Sequence, residues 1–188
     1  MDTLLEAAED IREQIWKELV RATHDRHHAW RTPVLASTTH EAGVNARTVV
    51  LRRVQPSQRL LEIYTDQRSA KVGELLAHPR ACLVFWSQRL HWQLRVQADC
   101  AIQTDGAEVT SRWQTVRQTK SAGDYMTRLA PGSAVAEADV DDGVTKNSDE
   151  HHFAIVQARV IEIDWLELGR SQHRRARWVD DAWQWLTP

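Results

Sequence analysis

Leu4, Leu5, Ala8, Ile11, Ile15, Leu19 and Val20 recur at helical spacing with charged residues between them, which predicts an amphipathic helix over 4–22. Thr32-Pro33 follows a His-rich stretch and disfavours continuation of the helix. From Val34 the texture turns to β. Residues 34–40, 46–54 and 59–66 read as three successive strands, with turn signals at Glu41-Ala42-Gly43 and Gln55-Pro56-Ser57. A short helix is expected over 69–77, with Val72, Leu75 and Leu76 on one face and His78-Pro79 ending it. Two more strands are expected over 81–87 and 91–103, then a further helix over 108–120. The small, acidic segment 130–150 reads as a flexible loop inside the domain, a candidate lid. Strand texture returns over 151–168, where His152, Ala154, Val156, Ala158 and Val160 alternate with other residues. The tail, 173–188, reads as a hairpin of two Trp-bearing segments around Asp180-Asp181. Six or seven strands in mainly sequential order, with three helices, predict a mainly β (α+β) antiparallel barrel with helical insertions rather than an alternating βαβ sheet.

Composition narrows the class of protein. At 188 residues with 42% hydrophobic and 27% charged content, the expectation is one folded domain spanning 1–188. A net charge of −2 lacks the electrostatic footprint of a dedicated nucleic-acid binder. Neither the acidic, amphipathic start nor the longest apolar run, Ala81 to Trp86, suits a signal peptide or a membrane span. Two cysteines, Cys82 and Cys100, make no disulfide scaffold, so a reduced cytoplasmic chain is the expected setting. The histidines at 24, 27, 28, 151 and 152 supply no coherent metal-ligand set, and Asp139-x-Asp141-Asp142-Gly143 departs from a calcium loop in its Gly position and lacks the closing Glu. No metal is expected.

Two biases remain: nine Trp, four of them in the last 24 residues, and 20 Arg against 4 Lys. Genomic base composition and bidentate recognition of phosphate or carboxylate both account for the Arg excess. The densest chemistry lies in ARTVVLRRV followed by YTDQRSAK. A single strand there would point Arg47, Val49 and Leu51 one way and Thr48, Val50 and Arg52 the other. Such an apolar strand should be substantially buried, so its Arg residues need anionic partners or a path to solvent. Arg68, Ser69 and Lys71 fall at the start of the short helix, where free N–H groups and the dipole favour an anion. These groups could make a phosphate site without glycine; edge-of-sheet Arg and a capped surface helix account for the same residues. No glycine-rich nucleotide loop occurs among the seven glycines.

In order and spacing, RTVVLR, YTD-x-RS-x-K, HPRACLVFW and WQLRV resemble the pyridoxamine 5′-phosphate oxidase-like, FMN-binding split-barrel flavoproteins. The resemblance runs from about Val34 to Leu186 and is loosest across 104–150. It implies a split β-barrel that binds FMN at the interface of a homodimer, with 165–188 as a dimer and cofactor element. By the same resemblance, Arg47 and Lys71 hold the FMN phosphate with Ser69 and Arg68 assisting. The backbone from Thr48 through Val49, Val50 and Leu51 to Arg52 runs along the flavin, Tyr64 and Thr65 lie beside it, and Gln93 contacts the ring or ribityl chain. In the tail, Trp165, His173 and Arg175 stand at the gaps of the family's Trp and R-x-H-x-R element. This implies FMN contacts from Trp165 and Arg175, and places Arg52 and His173 as the groups that meet a substrate.

The chain also departs from the family. Ser171 replaces the first Arg of that element, Ala70 stands in the phosphate-adjacent pair, Arg52 replaces a Lys, and Arg112, Arg117 and Lys120 are off-register for a substrate phosphate. The implied activity is oxidation of a small molecule by hydride transfer to the flavin; a non-catalytic FMN carrier or sensor is the alternative. No general base is nominated, and neither nucleic acid nor membrane is expected as a partner.

Overall fold

The computed structural model describes residues 2–135, 150–169 and 172–188. Most of the expected 130–150 loop, including 139–143, lies outside the described residues, as do Arg170 and Ser171.

The amphipathic start forms helix α1 (Asp2–His24). Nine strands follow among the described residues: β1 (Val34–Thr38), β2 (Val44–Thr48), β3 (Leu51–Gln55), β4 (Leu60–Asp66), β5 (Arg80–Ser87), β6 (Trp92–Gln103), β7 (Phe153–Leu168), β8 (His173–Val179) and β9 (Ala182–Leu186). Helix α2 (Ala70–Ala77) joins β4 to β5, and α3 (Gly106–Val116) follows β6. Neighbouring strands pair antiparallel in the order β2-β1-β5-β6-β7-β4-β3.

Two features turn this sheet into a split barrel. The 16-residue β7 pairs with β6 on one side; on the other, Phe153 to Arg159 pair with β4 and Glu162 to Leu168 pair with β8. One strand therefore changes partner along its length, from β4 to β8. In addition, β2 and β3 occupy opposite ends of the strand order although only Val49 and Val50 separate them. A link that short spans on the order of 10 Å, so the sheet must curl until its two ends meet. The expected single strand over 46–54 is thus two strands with different partners, β1 and β4. Most of β2 is exposed, contrary to the burial expected of that strand, because it forms one end of the sheet order.

The barrel interior is filled by alternate strand residues, including Leu61, Ile63, Leu83, Phe85, Leu94 and Val96, with Ile15 and Leu19 of α1 and the fully buried Trp30 packed against them. His28 belongs to this packing as a buried partner of Glu18 at 2.7 Å and an acceptor from the Trp30 N–H. A second apolar cluster forms on the outer face of β4 and β7, where Trp113 and Val109 of α3 meet Tyr125, Phe153 and Ile155. The tail forms the expected hairpin, with Asp180 in the left-handed region at φ 53°.

Candidate functional site

Arg47, Thr65, Ser69 and Lys71 come together where β2, β4 and the start of α2 meet. Lys71 Nζ donates to Thr65 Oγ1 and Ser69 Oγ, both at 3.0 Å, and the two hydroxyls are 3.1 Å apart. Ser69 occupies the N-cap position, yet its hydroxyl meets Lys71 and Thr65 instead of a helix N–H. Burial, and then the neighbouring Arg47 charge, push the Lys71 pKa below its usual value. Lys71 has three N–H donors and two acceptors among the described residues.

Arg47 is held differently. Its Nη2 donates to Glu74 Oε2 at 2.7 Å and its Nη1 to Ser37 Oγ and the Leu35 carbonyl. Glu74 is buried and also accepts from Ser37 Oγ and Asn45 Nδ2, each at 2.6 Å. Burial opposes the Glu74 charge, but these bonds and the Arg47 charge hold its pKa below the usual carboxylate value. Sequence reasoning missed Glu74, Ser37 and Asn45. The one available signal was an acidic residue three positions after Lys71 in an otherwise apolar helix segment.

Arg52 belongs to a neighbouring group. Leu51 pairs with Ile63 and Arg53 with Glu62, so Arg52 is an extra residue in a β-bulge. The bulge replaces the expected strict alternation: Arg52 lies over the Tyr64 ring at 5.8 Å while Arg53 reaches toward Glu62. Burial, then the Glu62 charge, push the Tyr64 phenol up to about 12. Tyr125, in contact with Arg52, is likewise raised by burial. The buried Nε of Arg52 has no partner among the described residues. Arg112 of α3 is engaged with Glu62 at 3.4 Å and Glu108 at 3.1 Å.

Gln93 and Arg175 share a third location. Both are in register with Leu166, from opposite sides of β7. Arg175 donates twice to the buried Asp164, at 3.0 and 2.8 Å, and Asp164 also accepts from Arg95. Burial works against the Asp164 charge, and these bonds lower its pKa.

The remaining expected residues separate from these groups. Trp165 is fully buried: its neighbours in register, Leu94 and Ala176, are also buried, and its ring meets Trp92 and Trp185 with Arg174 at 5.4 Å. In the single chain its ring is covered on all sides by these side chains. Arg68 is bound to Asp66 at 2.7 Å and to the Thr127 and Arg128 carbonyls, a set apart from Lys71. Val49 and Leu51 are buried, so those positions have only backbone to offer, and Val49 N already donates to the Pro33 carbonyl. Thr48 is exposed and Val50 half-buried at the β2–β3 link. His173 is exposed at the start of β8.

A groove of about 620 Å³ beside α2 is lined by Asn45, Ser69 and Glu74 together with His40 and Arg68, but not by Arg47 or Lys71. Another, of about 470 Å³, lies between α1 and the β8–β9 turn and contains no expected site residue. Hydrogen bonds define the candidate site better than either groove. Among the described residues, no group of three His, Cys, Asp or Glu could hold a metal, and no helix is long and apolar enough to cross a membrane.

Charge balance separates the five candidate cations. Arg47, Arg68 and Arg175 each meet a buried carboxylate, whereas Lys71 and Arg52 meet none among the described residues. Asp66 and Glu74 act on Lys71 through space without contacting it, and a half-buried ammonium facing hydroxyls fits the phosphate of a flavin mononucleotide, which supplies negative charge and acceptors at contact distance.

Comparison with known proteins points to the same cofactor. Residues 13–104 match the family model described as pyridoxamine 5′-phosphate oxidase, FMN-binding domain. A pyridoxine/pyridoxamine 5′-phosphate oxidase of Thermosynechococcus vestitus is 34% identical over 110 residues, 58% of this chain and 51% of that protein. Its counterpart in Microcystis aeruginosa is 40% identical over 63 residues, 34% of this chain and 28% of that protein. The chain therefore spans about half or less of the length of these curated relatives. Among solved structures, a pyridoxamine 5′-phosphate oxidase-related, FMN-binding protein of Nostoc punctiforme superposes with a TM-score of 0.71 at 17% identity, covering 92% of this chain and 95% of that one. PhzG of Burkholderia lata, solved with tetrahydrophenazine-1-carboxylic acid, superposes with a TM-score of 0.73 at 15% identity, covering 94% and 91%. At such identities these two likenesses concern the fold. Residues 13–104 are thus similar to the pyridoxamine 5′-phosphate oxidase, FMN-binding domain, and the chain as a whole has the split-barrel fold of these solved structures.

Proposed function

We propose that the protein is an FMN-dependent oxidoreductase acting on a small molecule, with the cofactor phosphate held by Lys71, Arg47, Ser69 and Thr65. The observation that carries this reading is Lys71: a half-buried ammonium, its pKa lowered, that meets two hydroxyls and no carboxylate among the described residues. Bound FMN supplies a two-electron acceptor, and the chain supplies position and electrostatics. Backbone at the β2–β3 link runs beside the ring system, Tyr64 shapes the site, and Gln93 and Arg175 offer polar groups for a flavin edge. Arg52, re-aimed by its bulge, is the group that orients an anionic or electron-rich substrate, with His173 beside it only if β8 of a second copy approaches. The working form is then a homodimer, to be checked by light scattering.

The first test is titration of the flavin-free protein with FMN, followed by quenching of flavin fluorescence. Submicromolar binding that Arg47→Glu abolishes is expected; unchanged binding by that variant would remove the phosphate site. Turnover is tested by adding pyridoxamine phosphate or pyridoxine phosphate without oxygen, then admitting air. Bleaching of the bound flavin, then recovery with peroxide release, supports the oxidase. A flavin that binds and never bleaches with any candidate supports the carrier reading instead.

A further inference from the structure

Two cations can grip one phosphate only if they are spaced for it, and Arg47 and Lys71 come from different elements. Arg47 sits on β2, an end strand of the sheet order whose residues are mostly exposed, while Lys71 sits on α2. The link between those elements is Glu74. Three residues after Lys71 on the same helix, it is 5% exposed and receives Ser37 Oγ, Asn45 Nδ2 and Arg47 Nη2 within 2.7 Å. Ser37 and Asn45 face each other across β1 and β2, so the carboxylate binds both strands of the hairpin to α2. A carboxylate buried in such a place is costly unless fully bonded, and here it is.

We propose that Glu74 is the positioning residue of the phosphate site, holding the Arg47 guanidinium at a set distance from Lys71 before the phosphate arrives. An unrestrained Arg loses its rotamer freedom on binding, and a tether removes that cost in advance. The role rests on the phosphate site proposed above. It also predicts that Glu74 matters for FMN and not for riboflavin, which has the same ring and no phosphate.

The test measures FMN and riboflavin affinities by fluorescence quenching for wild type, Glu74→Ala, Glu74→Gln, Arg47→Met and the Arg47→Met/Glu74→Ala double variant. Glu74→Ala is expected to weaken FMN about tenfold, the scale of ordering one long side chain. Its riboflavin affinity should be unchanged, and Glu74→Gln, which keeps an acceptor for Arg47, should restore FMN binding to within about threefold. In the Arg47→Met background, Glu74→Ala should change nothing further. Should Glu74→Ala not fold, Glu74→Asp withdraws the carboxylate by one methylene and must show the same selective weakening. Equal loss of FMN and riboflavin, no loss of FMN, or a full effect without Arg47 each overturns the role. If Arg47→Met itself leaves FMN affinity intact, the phosphate site fails; if Arg47→Met weakens FMN while the Glu74 variants do not, only the positioning role fails.

Discussion

Replacing Lys71 with Met separates binding from folding. Met keeps most of the side-chain volume and removes the ammonium, while Thr65 and Ser69 retain each other as partners at 3.1 Å. In the flavin-free protein the charge is a burden, since burial and Arg47 lower the Lys71 pKa and outweigh the Asp66 and Glu74 charges, which raise it. Between that lowered folded pKa and the ordinary unfolded value, the unfolded chain binds more protons, so Lys71 makes stability rise with pH across this window. Below the window the full cost of a buried charge is present, and Lys71→Met removes it. The variant should therefore melt at the same temperature as wild type or higher at neutral pH.

Binding should move the other way. A charged hydrogen bond is worth about 1.5–3 kcal/mol, and an ion pair at 4 Å with an effective dielectric of 20 sets a ceiling of about 4. A loss of about 2–3 kcal/mol raises the FMN dissociation constant roughly 30- to 150-fold. Wild-type affinity should also fall as pH rises through the lowered Lys71 pKa, and the variant should lose that descent. Calorimetric titration over pH, with thermal melting of the flavin-free forms, checks all three outcomes. A dissociation constant within about threefold of wild type, or a marked loss of stability, would refute the assignment of Lys71 as an unneutralised cation waiting for an anion.

Other consequences concern the supporting residues. Asp164→Asn should destabilise the protein by about 2–3 kcal/mol by uncoupling Arg175 and Arg95, less than a fully buried pair because both arginines are partly exposed. Because the folded Asp164 pKa is lowered, its stabilisation is present above the unfolded value and lost as pH falls through the folded one; denaturant melts of the variant should show a shallower acid limb. Glu62 has the opposite sign: burial raises its pKa, so stability falls as pH climbs from the unfolded value to the folded one, and Glu62→Gln should flatten that decline in the same assay. Trp165→Ala should cost about 3–5 kcal/mol as a core truncation, whereas Trp165→Phe should fold and keep FMN affinity. Loss of flavin by a well-folded Trp165→Phe would mean that the indole is bared in the working assembly.

Local pattern carried the parts of the fold that depend on local physics. The spacing of Ile11, Ile15 and Leu19 gives α1, Val72 and Leu75 before His78-Pro79 give α2, and the Trp-bearing segments around Asp180-Asp181 give the hairpin. Each follows from periodicity and turn chemistry within about ten residues. RTVVLR could not be divided in the same way. Its residues are uniformly strand-like, and the change from β1 to β4 as partner is decided by segments elsewhere in the chain. The bulge at Arg52 has the same origin: one extra residue against β4 is invisible until the partner register is known.

For the site, the division falls between the groups that carry charge and those that govern it. Arg47 and Lys71 stand out in the sequence as basic residues at a strand end and a helix start, but edge-of-sheet Arg and a capped helix account for them equally, and their role, like that of Ser69, comes from the family resemblance. Glu74, Asp164 and Glu62 do not stand out, since an acidic residue in sequence reads as solvated, and only burial beside Arg makes it a structural anchor. Trp165 could be aligned with a cofactor position, but which face of β7 it occupies depends on pairing with β6 and β8. Chain order alone marks which residues could bear charge and where the helices and most of the strands lie. Tertiary structure decided which charges are neutralised and which are left for a ligand, because Coulombic and desolvation energies depend on distance and burial, and neither is a property of chain order.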